Sequence, residues 1–170
     1  MQGSNKKIRN ATVCKSSDIT FKSQLEKSIY NTLQQLGFNV QYEPTTFMLW
    51  DNFIPKTPFY DRETDTQRSK RIKSGDKNKS RLLVQKTGKI IGIRYTPDFY
   101  FNYKGLNVYI EAKGIENDVF YIKKKMFRKY LDDKYTQTNQ SSIFFEIYTK
   151  SQLLQAVDII KKYAESLQKD

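Results

Sequence analysis

The residues best suited to chemistry are acidic and lysine side chains that bracket one hairpin. Asp98 follows Pro97 in the run Arg94-Tyr-Thr-Pro97-Asp98-Phe-Tyr-Phe101, Glu111 stands near the end of the run Leu106-Asn-Val-Tyr-Ile-Glu-Ala112, and Lys113 follows that run directly. Both runs read as strands, the first entered across Pro97, with Asn102 to Gly105 as the turn of a β-hairpin. Side chains alternate along a strand, so Glu111 and Lys113 share a face and Ala112 points the other way. Folding the hairpin brings Asp98 to cross-strand distance from that pair. The apolar Val108-Tyr-Ile110 leads into these charges and Gly114 follows them. The charges therefore sit at the mouth of a strand.

Two carboxylates and an ammonium at one sheet end suit hydrolysis of a phosphodiester with Mg2+. A hard cation prefers carboxylate oxygens, keeps several waters and is completed by substrate phosphate. It polarises the phosphoryl oxygen and lowers the pKa of an attacking water. A neighbouring lysine orients that water or stabilises charge on the phosphorane. The plainer alternative is a surface salt bridge on a strand. An acidic-x-Lys triplet is weak by itself, since Asp132-Asp-Lys134 fits it too.

Composition removes the competing chemistries. The 170 residues include no histidine and one cysteine, Cys14. A Ser-His-Asp triad, a Cys-His pair and an imidazole base are excluded, as are a histidine-ligated metal, a four-thiolate zinc site and a disulfide within the chain. Thirty Lys+Arg stand against 18 Asp+Glu, a net charge of +12, and the pI is near 9.6. The partners this charge implies are polyanions: nucleic acid first, an anionic membrane surface second. No run approaches the ~18 apolar residues of a membrane span. Residues 1–10 are polar and lack the apolar core of a signal peptide, so the expected setting is cytosolic, with Cys14 a free thiol.

Other elements must place the hairpin. Residues 1–17 read as a basic, flexible arm, with Lys6, Lys7, Arg9 and Lys15. Phe21, Leu25, Ile29, Leu33 and Leu36 recur at helical spacing behind Thr20 as N-cap, and Gly37 stops the run, which predicts a helix over 21–36. Residues 38–42 alternate as a short strand, and 47–50 read as a second extended piece. Residues 51–89 read as a basic insertion, flexible when alone. From Arg62 to Arg81 they hold eight basic residues and three acidic ones, and the stretch is too long for an ordinary connection. Its Lys70, Arg71 and Lys73 are candidate phosphate contacts on a flap that orders on nucleic acid. A solvated loop is the alternative. After the hairpin come a basic helix over 118–132, a buried strand over 142–148 and a last helix behind the capping-box spacing Thr149 to Gln152. Lys123, Lys124, Lys125 and Arg128 on the basic helix are the remaining candidates for phosphate, with Lys123 foremost. Tyr95, Tyr100 and Tyr103 are candidates for base stacking, although aromatic residues in strands more often belong to a core. The sum is a single domain over 18–170, an α/β sandwich around a central mixed sheet flanked by helices, with an aromatic-rich core.

Pro97-Asp98 followed by Glu111-Ala-Lys113 resembles the signature of the PD-(D/E)XK nuclease superfamily. Phe21-Lys-Ser-Gln-Leu-Glu26, Tyr95-Thr-Pro-Asp98-Phe and Tyr109-Ile-Glu-Ala-Lys-Gly114 together are similar to phage endonuclease I type Holliday-junction resolvases and to small phage nucleases in which a basic helix follows the Lys-Gly. The resemblance covers roughly 20–43 and 90–130; the basic insertion and the C-terminal third do not match it. It implies a restriction-endonuclease-like core and a DNA endonuclease selective for branched substrates. It further implies Asp98, Glu111 and the Ala112 carbonyl as ligands of Mg2+ (with Mn2+ able to substitute), Lys113 as the catalytic lysine, Glu26 as a helical acidic residue aiding the metal or its water, and pairing into a homodimer. Two other readings stay open: a non-catalytic nucleic-acid-binding module on the same fold, and a basic structural protein of a phage particle.

Overall fold

A computed structural model describes residues 13–16, 19–114 and 118–168. Most of the expected basic arm lies outside the described residues. Its end does not behave as an arm: β1 (Cys14–Ser16) pairs antiparallel with β2 (Ile19–Phe21), Cys14 opposite Phe21. The expectation for the Cys14 thiol falls outside the described side chains.

The first helix, α1 (Gln24–Gln35), starts later than its apolar spacing suggests. Thr20 is in β2, and the N-cap is Ser23, whose Oγ accepts from the Glu26 N–H at 3.2 Å. Its end falls where Gly37 marks it. Gly37 adopts φ 83°, its N–H donates to the Gln34 carbonyl, and the Phe38 N–H donates to the Leu33 carbonyl. This is the paired C-terminal bonding that glycine permits.

The remaining strands and helices follow in chain order. They are β3 (Gln41–Tyr42), β4 (Phe47–Trp50), β5 (Tyr60–Arg62), α2 (Asp65–Lys73), β6 (Leu83–Gln85), β7 (Ile93–Tyr95), β8 (Phe99–Tyr103), β9 (Leu106–Ala112), α3 (Asp118–Thr138), β10 (Ser142–Ile147) and α4 (Lys150–Ser166). The expected single strand across Pro97 is two strands, because Thr96-Pro97-Asp98 leaves the ladder between β7 and β8. The helix α3 runs six residues beyond its expected end. Nothing in the sequence stops it before Asn139, which takes φ 53° as the left-handed cap residue.

The main sheet has the order β10-β9-β8-β3. β10 runs parallel to β9, while β8 is antiparallel to both β9 and β3. The fold is thus α/β, a mixed sheet flanked by helices. On one face Phe99, Phe101, Leu106, Val108 and Ile110 pack with Ile29 and Leu33 of α1 and with Leu153, Val157 and Ile160 of α4. On the other face α3 lays Phe120 and Phe127 against Tyr95, Tyr109 and Phe144. The Phe127 ring is fully buried, 4.8 Å from Tyr95, 5.3 Å from Phe144 and 5.4 Å from Tyr109 between centroids. Such tilted and edge-on aromatic contacts add to plain area burial.

Residues 50–93 form a second compact unit. The sequence predicts flexibility there because apolar residues are few. Instead β5 and β6 pair antiparallel, Tyr60 opposite Gln85, and α2 starts on a capping box between Thr64 and Gln67. The organiser is Arg71. Its guanidinium donates to Glu63 Oε2 (3.1 Å) and Oε1 (2.6 Å), to Asp76 Oδ2 (2.8 Å), and to the carbonyls of Asn78 (2.7 Å) and Ser80 (2.8 Å). Those five bonds match the five N–H donors of the side chain. Polar interactions thus do in this unit what apolar packing does in the sheet domain, and hydrophobic patterning cannot detect them.

Candidate active site

Glu26, Asp98 and Glu111, the three carboxylates singled out by sequence, are 6%, 9% and 5% exposed. Acidic residues are almost never this buried unless paired, and each has partners. Asp98 stands one residue before β8. The register sets Phe99 opposite Ile110, which brings Asp98 abreast of Glu111. Its Oδ2 accepts the Ala112 N–H at 2.8 Å, so the Asp98 carboxylate is held against the backbone of the Glu-Ala-Lys triplet. The Glu111 carboxylate is gripped on both sides. Oε2 accepts the Tyr95 hydroxyl at 2.6 Å, and Oε1 lies 2.6 Å from Lys113 Nζ. The strand alternation that predicts a shared face for Glu111 and Lys113 is what permits this pair.

Glu26 caps the start of α1. It accepts from the Lys22 N–H (2.9 Å), from Ser23 Oγ (2.9 Å) and from the Tyr42 hydroxyl (2.6 Å). The structure therefore gives Glu26 a capping role whatever else it does.

Electrostatics mark Asp98 as the unusual group. Burial, then the Glu111 charge and more weakly that of Glu26, push its carboxyl up to about 8, against the opposing Ala112 N–H and Lys113. A buried carboxylate beside like charges resists ionisation, and a nearby cation relieves that cost. Burial and the Glu111 carboxylate likewise push the Tyr95 phenol far upward, so it stays a donor. Among the described residues no group of three or more acidic side chains is arranged to hold a metal unaided.

Sequence reasoning missed three participants. Glu146, on β10, stands in register with Glu111 on β9 and pairs with Lys124 of α3 at 3.0 Å. A lone charge inside the apolar run Ile143-Phe-Phe-Glu146-Ile was the available signal. The buried Phe120 ring lies under Lys113, whose Nζ is 3.8 Å from the centroid. Tyr95 is a core residue, as aromatic residues in strands more often are, and what spacing does not reveal is that its hydroxyl orients Glu111. Tyr100 and Tyr103 are also engaged in packing, against Tyr109 and Phe38.

The basic candidates separate into two groups. Lys70, Lys73, Lys125 and Arg128 are solvent-exposed, and Lys123 is half-buried. Lys124 is paired with Glu146, and Arg71 is wholly engaged inside its own unit, which removes the reason for assigning it to phosphate. A groove of about 820 Å³ runs along α3 and the outer edge of β10, lined among others by Lys125, Arg128, Lys129, Ser142, Glu146 and Tyr163. No helix among the described residues is long and apolar enough to cross a membrane. Comparison with protein-family models, with curated proteins and with solved structures returned no match.

Proposed function

We propose that the protein is a Mg2+-dependent endonuclease that hydrolyses DNA phosphodiester bonds, on a restriction-endonuclease-like core that carries residues 51–89 as a basic insertion. The observation that carries this reading is the Asp98–Glu111–Lys113 cluster: two buried carboxylates abreast at a strand mouth, one bonded to the Ala112 N–H and the other to the lysine. The donor set is all-oxygen and fits Mg2+, which takes one or two carboxylates and leaves the rest of its shell to water and phosphate. Asp98, Glu111 and the Ala112 carbonyl would hold the ion. When bound it supplies Lewis acidity toward the phosphoryl oxygen and a more acidic water.

The chain's own residues prepare the site. Tyr95 fixes the rotamer of Glu111. Lys113, steadied between Glu111 and the Phe120 ring, directs an ammonium toward charge building on the phosphorane. Glu26 holds the start of α1 and adds negative potential near Asp98. Lys123, Lys125 and Arg128 on α3 and Lys70 and Lys73 on α2 present cations for the backbone, so binding is steeply salt-dependent. The setting is cytosolic. Branched DNA is the favoured substrate; a four-way junction needs two cuts and hence a homodimer.

The test is cleavage of four-way, flap, duplex and single-stranded DNA with Mg2+ and with EDTA. Cleavage requires the ion, and Glu111→Ala or Lys113→Ala abolishes it while binding persists. Variants that cut at the parental rate would sink the assignment. Salt-sensitive binding without cleavage in either Mg2+ or Mn2+ would leave a binding module on this fold.

A further inference from the structure

The structure contains a second glutamate–lysine pair at the level of the first. Glu111 and Glu146 are register partners on the parallel strands β9 and β10, so their side chains project from the same face of the sheet. Like charges so placed repel, and each carries its own ammonium: Lys113 at 2.6 Å from Glu111, and Lys124 at 3.0 Å from both oxygens of Glu146. The two lysines also share an aromatic neighbour. Lys113 Nζ lies 3.8 Å and Lys124 Nζ 5.5 Å from the centroid of Phe120. The Lys124–Glu146 pair is about one-fifth exposed on each side, and Glu146 also lines the groove along α3 and β10.

We propose that Lys124 is a second phosphate-binding cation beside the site, and that Glu146 is its counter-ion latch, displaced when a nucleic-acid phosphate takes the ammonium. This rests on the nuclease reading for the identity of the ligand. The chemistry follows from the pair itself. An ammonium in this largely buried setting needs a compensating charge, and both oxygens of the Glu146 carboxylate supply it in the absence of substrate. A phosphate oxygen is an equivalent acceptor. Glu146 thus keeps the ammonium in place but competes with the phosphate for it.

The latch makes the two halves of one ion pair act in opposite directions, which a merely structural pair does not. The measurement is anisotropy of a labelled DNA duplex titrated with protein in EDTA, between about 50 and 200 mM salt, so cleavage plays no part. Lys124→Gln is expected to weaken binding about tenfold and to reduce the slope of log K against log salt by about 0.9, the loss of one phosphate contact. Glu146→Gln is expected to tighten binding several-fold and leave the slope unchanged. Lys124→Arg restores parental affinity. Thermal melts of each variant show whether it is folded. If both glutamine variants leave affinity unchanged, or both weaken it equally while folded, the latch is overturned and cleavage by the parent still upholds the nuclease. If the parent binds neither the duplex nor a labelled four-way junction, both readings fall.

Discussion

The Tyr95 hydroxyl donates a 2.6 Å hydrogen bond to Glu111 Oε2 from inside the aromatic cluster of α3. The bond ties a packing residue to the proposed metal ligand, so core and site are built from the same ring. Tyr95→Phe keeps the ring and deletes the bond. Hydrogen bonds to charged groups contribute about 1.5–3 kcal/mol, and each kcal/mol moves Tm by roughly 2–4 °C in a domain of this size. A variant with parental Tm and parental cleavage would show that the bond positions nothing.

Asp98 opposes the stability of the fold that holds it. Its carboxyl is raised from an ordinary value near 3.8 to about 8 by burial and by Glu111. The folded state therefore holds its proton longer than the unfolded state does, and this residue's contribution to stability falls as pH rises from about 4 to about 8. Asp98→Asn is expected to raise Tm at neutral pH, flatten the pH dependence across that window and abolish cleavage. Added Mg2+ should raise the Tm of the parent through linkage and leave the variant unmoved. Thermal melts across pH, with and without the ion, check both.

The unit over residues 50–93 depends on Arg71. Arg71→Lys retains the charge but cannot meet five acceptors in a plane, so the unit should unravel while the sheet domain stays folded. Hydrogen exchange resolves the two: amides of α2, β5 and β6 lose protection, and those of β8 and β9 keep it. Arg71 holds the Glu63 carboxyl below its usual range, and the Asn78 N–H, then Arg71, does the same for Asp76. The stability these groups lend is therefore present above pH 4 or so and lost as pH falls through their depressed values. Acid should loosen this unit, and protection of α2 that persists at low pH would contradict that.

Gly92 offers a local test of the same unit. A Cβ there would stand 2.2 Å from the Trp50 carbonyl oxygen and 3.0 Å from the Asn52 N, both backbone atoms that cannot swing away. Gly92→Ala is expected to destabilise the unit by about 1–3 kcal/mol, the usual range for overpacking, read as increased exchange near Trp50 and Ile90. Unchanged exchange would mean that the backbone shifts at no cost.

Phe127→Ala removes the centre of the aromatic cluster. Buried phenylalanine truncations cost about 3–5 kcal/mol, so a large fall in Tm is expected, together with loss of cleavage as Tyr95 and α3 loosen. A small change in Tm would show that the cluster closes over the cavity.

What could be read in the sequence follows from local rules. Period-2 alternation gave the β8–β9 hairpin and the shared face of Glu111 and Lys113; helical spacing and capping chemistry gave α4 and the end of α1 at Gly37. These are signals carried by neighbours in the chain. The same rules set the start of α1 too early, because Phe21 is apolar for the sake of β2 and the Ser23 cap is invisible to spacing. Only the tertiary structure decided the rest. Parallel pairing of β10 with β9 joins residues 35 positions apart, which is how Glu146 arrives beside Glu111. Packing of α3 across the sheet makes Phe120 the floor under Lys113 and turns Tyr95 into a donor. Arg71, in sequence one more cation in a basic run, becomes the centre of a folded unit because the chain on both sides of it turns back, so that five acceptor atoms of Glu63, Asp76, Asn78 and Ser80 converge on its guanidinium. Local geometry fixes which side chains share a face, whereas register between distant strands and the burial of charge depend on the whole chain being folded.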